Sequence, residues 1–142
     1  MESSSRRLPL QVVVDTSFLM FPFQKGTVKG FFEQLDELLN VKYELVVLEP
    51  VLRELEELSK SRSPKLSRQA KSALELAKKL KVLSVGPFED ADSAILSYAK
   101  ERFCVVATTD LELKKKLRKA GIPVVFVRAL KKLDLDGELP WL

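Results

Sequence analysis

Residues 12–18 read Val-Val-Val-Asp-Thr-Ser-Phe, and their reading decides the fold. Three β-branched residues in a row suit a strand covered on both faces, as in a parallel sheet. Asp15 follows at once, where that strand should end, with Thr16 and Ser17 behind it. Ligands of open α/β sheets collect at the carboxyl ends of the strands, so a carboxylate planted there stands where chemistry happens. A plain helix cap is the competing reading of Asp15 taken alone. The rest of the chain has to decide.

Working outward, strands and helices alternate. The first strand spans about 11–15, after a short tail. Residues 21–30 hold Pro22, Gly26 and Gly30 and read as a loop with a helical turn at its start. A helix follows over about 29–40, with Phe31, Phe32, Leu35, Leu38 and Leu39 on one face. Tyr43 to Leu48 is the second strand, and Pro50 opens a helix reaching about Ser59. The stretch 65–80 reads as a basic amphipathic helix, and about 82–85 as a short third strand. Further helices are expected over about 89–102 and 109–119, the second closed by Gly121 and Pro123. The strands between and after them run over about 103–107 and 123–127. This alternation predicts a three-layer α/β/α sandwich around a parallel sheet of four to five strands. The domain is placed at 11–130, with tails at 1–10 and 131–142, the second carrying Trp141.

Composition narrows the chemistry. At 142 residues, 46% hydrophobic and 31% charged, the chain should make one soluble domain with a proper core. The longest apolar runs, such as Leu45 to Leu48, are too short to span a bilayer. The N-terminus lacks the apolar stretch of a secretory signal, so a cytoplasmic location with no membrane partner is expected. Cys104 is the single cysteine, in a strand-like stretch, and reads as a small core residue. There is no histidine at all, which excludes histidine-based triads and histidine zinc sites. Whatever chemistry occurs must use carboxylates, hydroxyls, amines or a carboxylate-bound metal.

The net charge of +4 is unevenly spread. Between Lys60 and Lys81 eight basic residues, Lys65 and Arg68 among them, face the single acid Glu75. A second cluster, Lys114, Lys115, Lys116, Arg118 and Lys119, follows Asp110. Clustered base points to a polyanionic partner, although solvated helix faces are at least as common.

Three more acids join Asp15. Asp92 shares a helical line with Ile95, Leu96 and Ala99, in the first turn of its helix. An inward charge is costly unless paired, and nothing basic lies nearby in sequence. Glu54 borders the stripe of Val51, Leu55 and Leu58, while Glu56 and Glu57 point further outward. Asp110 follows a strand end, and the capping-box spacing of Thr109 and Glu112 would make it the first helical residue. Singly, Glu54 and Asp110 read as ordinary helix residues. Together, all four acids reach one edge of the sheet. Two unit charges about 5 Å apart repel by roughly 3 kcal/mol at an effective dielectric of about 20, so such a cluster needs a cation. Oxygen-only ligands suit Mg²⁺ or Mn²⁺, ions that activate water against phosphates.

The pieces Val-Val-Asp-Thr-Ser-Phe-Leu (13–19), Pro-Val-Leu-Arg-Glu-Leu (50–55), Asp-Ser-Ala-Ile (92–95) and Val-Ala-Thr-Thr-Asp (106–110) occur in order. In these the chain resembles the PIN-domain ribonucleases over about residues 11–128. The resemblance implies metal-dependent hydrolysis of single-stranded RNA. It carries the acidic residues onto Asp15, Glu54, Asp92 and Asp110, and a hydroxyl after the fourth strand onto Thr108. The stretches 18–24 and 110–118 are similar to an archaeal branch related to small-subunit rRNA-processing nucleases, and VapC-type toxins are a more distant resemblance. Two positions depart: Ser93 stands where relatives often have a second acid, and Thr109 where many have Asn.

The expectation is thus a Mg²⁺- or Mn²⁺-dependent endoribonuclease. Asp15, Glu54, Asp92, Asp110 and Thr108 would act in catalysis, and Lys114, Lys115, Lys116, Arg118, Lys65 and Arg68 on RNA. A catalytically idle RNA-binding or assembly protein would use the basic helices alone. All four acids are present, which favours the enzyme. A phospho-receiver domain would need paired acids at the first strand and a lysine after the last, where Arg128 stands instead. A homodimer and an antitoxin partner both stay open at this point.

Overall fold

The computed structural model describes residues 8–25, 28–87, 90–129 and 132–139. Along them run β1 (Leu10–Val14), α1 (Thr16–Lys25), α2 (Val28–Leu39), β2 (Tyr43–Leu48), α3 (Glu49–Ser59) and α4 (Pro64–Lys78). Then come β3 (Lys81–Leu83), α5 (Ala91–Lys100), β4 (Cys104–Ala107), α6 (Leu111–Lys119), β5 (Val124–Arg128) and β6 (Lys132–Asp136). The strands form one sheet in the order β3-β2-β1-β4-β5-β6. β1 to β5 are parallel, and β6 runs antiparallel to β5. The α/β sandwich expected from the alternation is present.

β1 lies centrally, paired with β2 on one side and β4 on the other. Val12, Val13 and Val14 are buried on both faces of the sheet. From β1 the chain first winds outward through β2 to β3, then crosses back to β4 and winds the other way. The order therefore reverses between β1 and β4, the place where open α/β sheets leave a crevice at their carboxyl edge. Asp15 N–H bonds the Ala107 carbonyl at 2.9 Å, which pins the two strand ends side by side.

Three expectations need correction. Residues 21–25 are helical rather than a loop, because α1 continues through Pro22. Phe18, Leu19, Met20 and Phe21 are all buried, and Phe18 packs on Phe31 of α2 at 4.8 Å between ring centroids. That burial outweighs the local disfavour of an internal proline. Residues 132–136, assigned to a tail, form β6, so the sheet has six strands among the described residues and only five of them are parallel. Gly137 ends β6 at φ 102°, and a Cβ there would stand 2.6 Å from Arg118 Nη1. Trp141 and residues 1–7 lie outside the described residues. No described helix is long and apolar enough to cross a membrane. Cys104 is buried, which pushes its thiol up to about 11 and fits a core residue.

Candidate active site

A cleft of about 530 Å³ opens at the carboxyl edge, at the reversal between β1 and β4. Asp15 arrives from the end of β1, Glu54 from α3, Asp92 from the first turn of α5 and Asp110 from the loop after β4. The four acids singled out in the sequence thus line one cleft. A fifth, Asp90, lines it too.

Asp15 is almost fully buried and its carboxylate is held from three sides. Thr16 N–H donates to Oδ1 at 2.8 Å. Thr108 Oγ1 donates to Oδ2 at 2.7 Å, and Ser17 Oγ donates to the same oxygen at 3.0 Å. Each hydroxyl has one proton, so their own 3.2 Å approach carries no further bond while both donate to Asp15. The hydroxyl oxygens accept in turn. Thr109 N–H donates to Ser17 Oγ at 3.0 Å and Asp110 N–H to Thr108 Oγ1 at 3.0 Å. The loop after β4 is thereby stitched to the turn after β1. Burial pushes the Asp15 carboxyl above its ordinary value, these hydrogen bonds oppose that, and the charge of Glu54 adds to the rise.

Asp110 is not the first helical residue but the N-cap of α6. Its Oδ1 accepts from the N–H groups of Glu112 at 2.9 Å and Leu113 at 3.2 Å. A carboxylate one residue nearer the helix displaces Thr109 from the capping role, and Thr109 is drawn to Ser17 instead. Asp90 caps α5 in the same way, accepting from Ser93 N–H at 2.7 Å. Asp92, one turn in, is half-buried. Burial raises its carboxyl first, then the charges of Asp15, Asp110 and Asp90, with Lys116 of α6 opposing. Lys116 is the cation across the cleft that the local sequence of α5 did not offer. Glu54 is exposed at the rim, as are Glu56 and Glu57 beyond it.

Ser17 and Asp90 are the residues that sequence reasoning left unassigned. Asp90 carried a readable signal, an aspartate just before an apolar-periodic helix. Ser17 shows its role only when β4 is laid beside β1.

The basic residues divide. Lys65, Arg68, Lys115 and Lys116 are exposed. Lys114 and Arg118 are engaged within the fold. Lys114 Nζ lies 3.4 Å from Asp136 Oδ2 and 3.8 Å from the Phe126 ring centroid. Arg118 Nε lies 3.2 Å from Asp136 Oδ1, and its Nη1 donates to the Ile122 carbonyl at 3.1 Å. Both tie α6 to β6, which corrects their reading as free RNA contacts.

Among the described residues no three His, Cys, Asp or Glu side chains stand close enough to hold one metal ion as they are. The donor chemistry nonetheless fits a hard cation: oxygen only, five carboxylates on one cleft, and two of them pushed toward protonation by burial and by one another.

A β1–β4 crevice walled by carboxylates, on a sheet of this order, defines a known class. Residues 12–130 match the family described as PIN like domain, and the chain belongs to that family. Among its relatives, "Ribonuclease VapC4" of Methanocaldococcus jannaschii is 40% identical over 129 residues, covering 89% of this chain and 97% of that protein. "Ribonuclease VapC9" of Archaeoglobus fulgidus is 32% identical over 125 residues, 87% of each. The solved structure titled "Structure of the PIN domain endonuclease Utp24" superposes with a TM-score of 0.74 at 27% identity, covering 94% of this chain and 96% of that one.

Proposed function

We propose that this protein is a cytoplasmic endoribonuclease that hydrolyses phosphodiester bonds of RNA with a bound Mg²⁺ or Mn²⁺. The observation that carries the reading is the convergence of carboxylates from the ends of β1 and β4 and from α3 and α5 on one cleft. Asp15, Glu54, Asp92 and Asp110 would hold the metal. Such an ion supplies an activated water and offsets charge on the reacting phosphate. Thr108 and Ser17 orient the Asp15 carboxylate through their hydroxyls. Asp110 has Oδ1 committed to the α6 N-terminus, which fixes its carboxylate in the cleft. Lys116 places a positive charge against Asp90 and Asp92.

The names of the two ribonuclease relatives and of the endonuclease structure support RNA as the substrate class. A second form of this reading, favoured by the VapC names, places the nuclease under an antitoxin; it changes the partner and leaves the chemistry as it is.

The test is cleavage of fluorescent single-stranded RNA in EDTA, Mg²⁺ and Mn²⁺. Cleavage with metal, abolished by EDTA and restored by excess Mn²⁺, is expected. RNA binding with no cleavage in any metal would favour the idle RNA-binding alternative. Cleavage unaffected by EDTA would remove the metal from the reading.

RNA affinity should fall steeply with salt, because lysines that neutralise phosphates release counterions. Changing Lys65, Arg68, Lys115 and Lys116 to Gln should flatten the log–log slope by roughly 0.7 per lost contact on a single strand. Lys114→Gln should leave the slope alone and lower the melting temperature, since it unties α6 from Asp136. Salt-independent binding would leave the exposed lysines as plain solvated residues.

A further inference from the structure

We infer that the cleft carries a nucleobase subsite beside its acidic pole, built on one face of α1 and closed by two leucines. The inference rests on the nuclease reading and adds to it what the nucleotide next to the reacting phosphate is held by.

Thr16, Met20 and Gln24 all line the cleft. They stand at i, i+4 and i+8, one stripe of α1. Thr16 adjoins Asp15, and Gln24 lies eight residues on, roughly 12 Å along the helix axis. Leu58 of α3 and Leu66 of α4 line the same cleft. The wall therefore changes character along its length, from carboxylates to a thioether with two aliphatic side chains, and then to an amide. A bare phosphate or a metal ion has no use for the second half. A nucleoside does. Its flat ring packs on leucine and methionine, whose polarisable sulfur suits aromatic faces. A primary amide offers the donor and acceptor that a base edge presents in complement.

Two details agree with this. Gln24 is exposed, and nothing among the described residues hydrogen-bonds its amide. Thr16 Oγ1 is buried with no hydrogen-bond partner among the described residues, where the two halves meet; buried polar groups of folded proteins ordinarily have one. A base seated here must be unstacked and unpaired, so the nucleotide at this position is single-stranded.

The experiment measures fluorescence anisotropy of short single-stranded RNAs on the full chain in EDTA and low salt. The four homopolymers are compared with a strand carrying abasic nucleotides, and cleavage of the same strands is followed in Mn²⁺. The wild type should prefer one base and bind the abasic strand more weakly. Gln24→Ala should reduce the discrimination between bases by about tenfold, the order of one good base-edge contact. Leu66→Ala should weaken the base-bearing strands and not the abasic one. Gln24 is exposed, so its variant keeps the fold; an unchanged melting temperature and Mn²⁺ shift check that. Equal binding of all homopolymers and the abasic strand, or selectivity untouched by both variants, overturns the subsite. Base-selective binding without cleavage in Mn²⁺ would sink the nuclease reading and keep the subsite. Cleavage indifferent to base identity would do the reverse.

Discussion

Asp15→Asn should lower RNA cleavage by about 10²–10⁴-fold, the loss typical of a displaced acid–base or metal-positioning group. The same substitution should not harm the fold in EDTA. Asn is as good a helix cap as Asp, so the bond from Thr16 N–H survives. At the other oxygen an amide NH₂ replaces the acceptor, and it can donate to Ser17 Oγ and Thr108 Oγ1, each with lone pairs to spare. What disappears is a buried charge facing Glu54. At neutral pH the variant should match the wild type or exceed it by up to about 1 kcal/mol. The sign follows from linkage. A carboxyl raised above 3.8 on folding lends stability that is fully present below that pH and lost as pH rises through the folded value. The advantage of Asp15→Asn in EDTA should therefore grow from pH 3.8 upward. Denaturant melts at stepped pH measure it. Were Asp15 a structural cap only, the substitution would cost about 1 kcal/mol or less, with no growth of that kind.

Thr108→Val is the second large effect. The side chain is fully buried, donates to Asp15 Oδ2 and accepts from Asp110 N–H. Valine keeps the shape and removes both bonds, leaving a backbone N–H unpaired, which should cost about 1–3 kcal/mol. Because Thr108 orients the carboxylate rather than binding metal, its loss should weaken Mn²⁺ affinity by about 10–100-fold, as supporting hydrogen bonds to ligands commonly do. Thr108→Ser should restore most of both. A valine variant with wild-type Mn²⁺ affinity would reduce Thr108 to a strand-end packing residue.

How far the sequence could be read follows from the same residues. β1, β2 and β4 announced themselves through Val-Val-Val, Leu-Val-Val-Leu and Val-Val-Ala, because a strand buried on both faces leaves a continuous apolar run. β6 did not. Lys-Leu-Asp-Leu-Asp is an edge strand, charged on its open side, and reads as a polar tail until β5 pairs with it. The error spread: with β6 unseen, Asp136 had no place, so Lys114 and Arg118 looked free. Asp15, Glu54, Asp92 and Asp110 could be brought to one edge by topology alone. Their local geometry could not. That Asp110 rather than Thr109 caps α6 depends on Thr109 N–H being held by Ser17, a contact spanning 92 positions. No local pattern carries it.

The central claim is that the cleft holds a divalent metal through Asp15. Melting curves of the wild type and of Asp15→Asn, in EDTA and across a Mn²⁺ titration, test it most directly. Binding to the folded state alone should stabilise the wild type by about 2.7 kcal/mol at a hundred times the dissociation constant, and Asp15→Asn much less at the same Mn²⁺. An equal Mn²⁺ shift in both proteins, or none in the wild type, would contradict it.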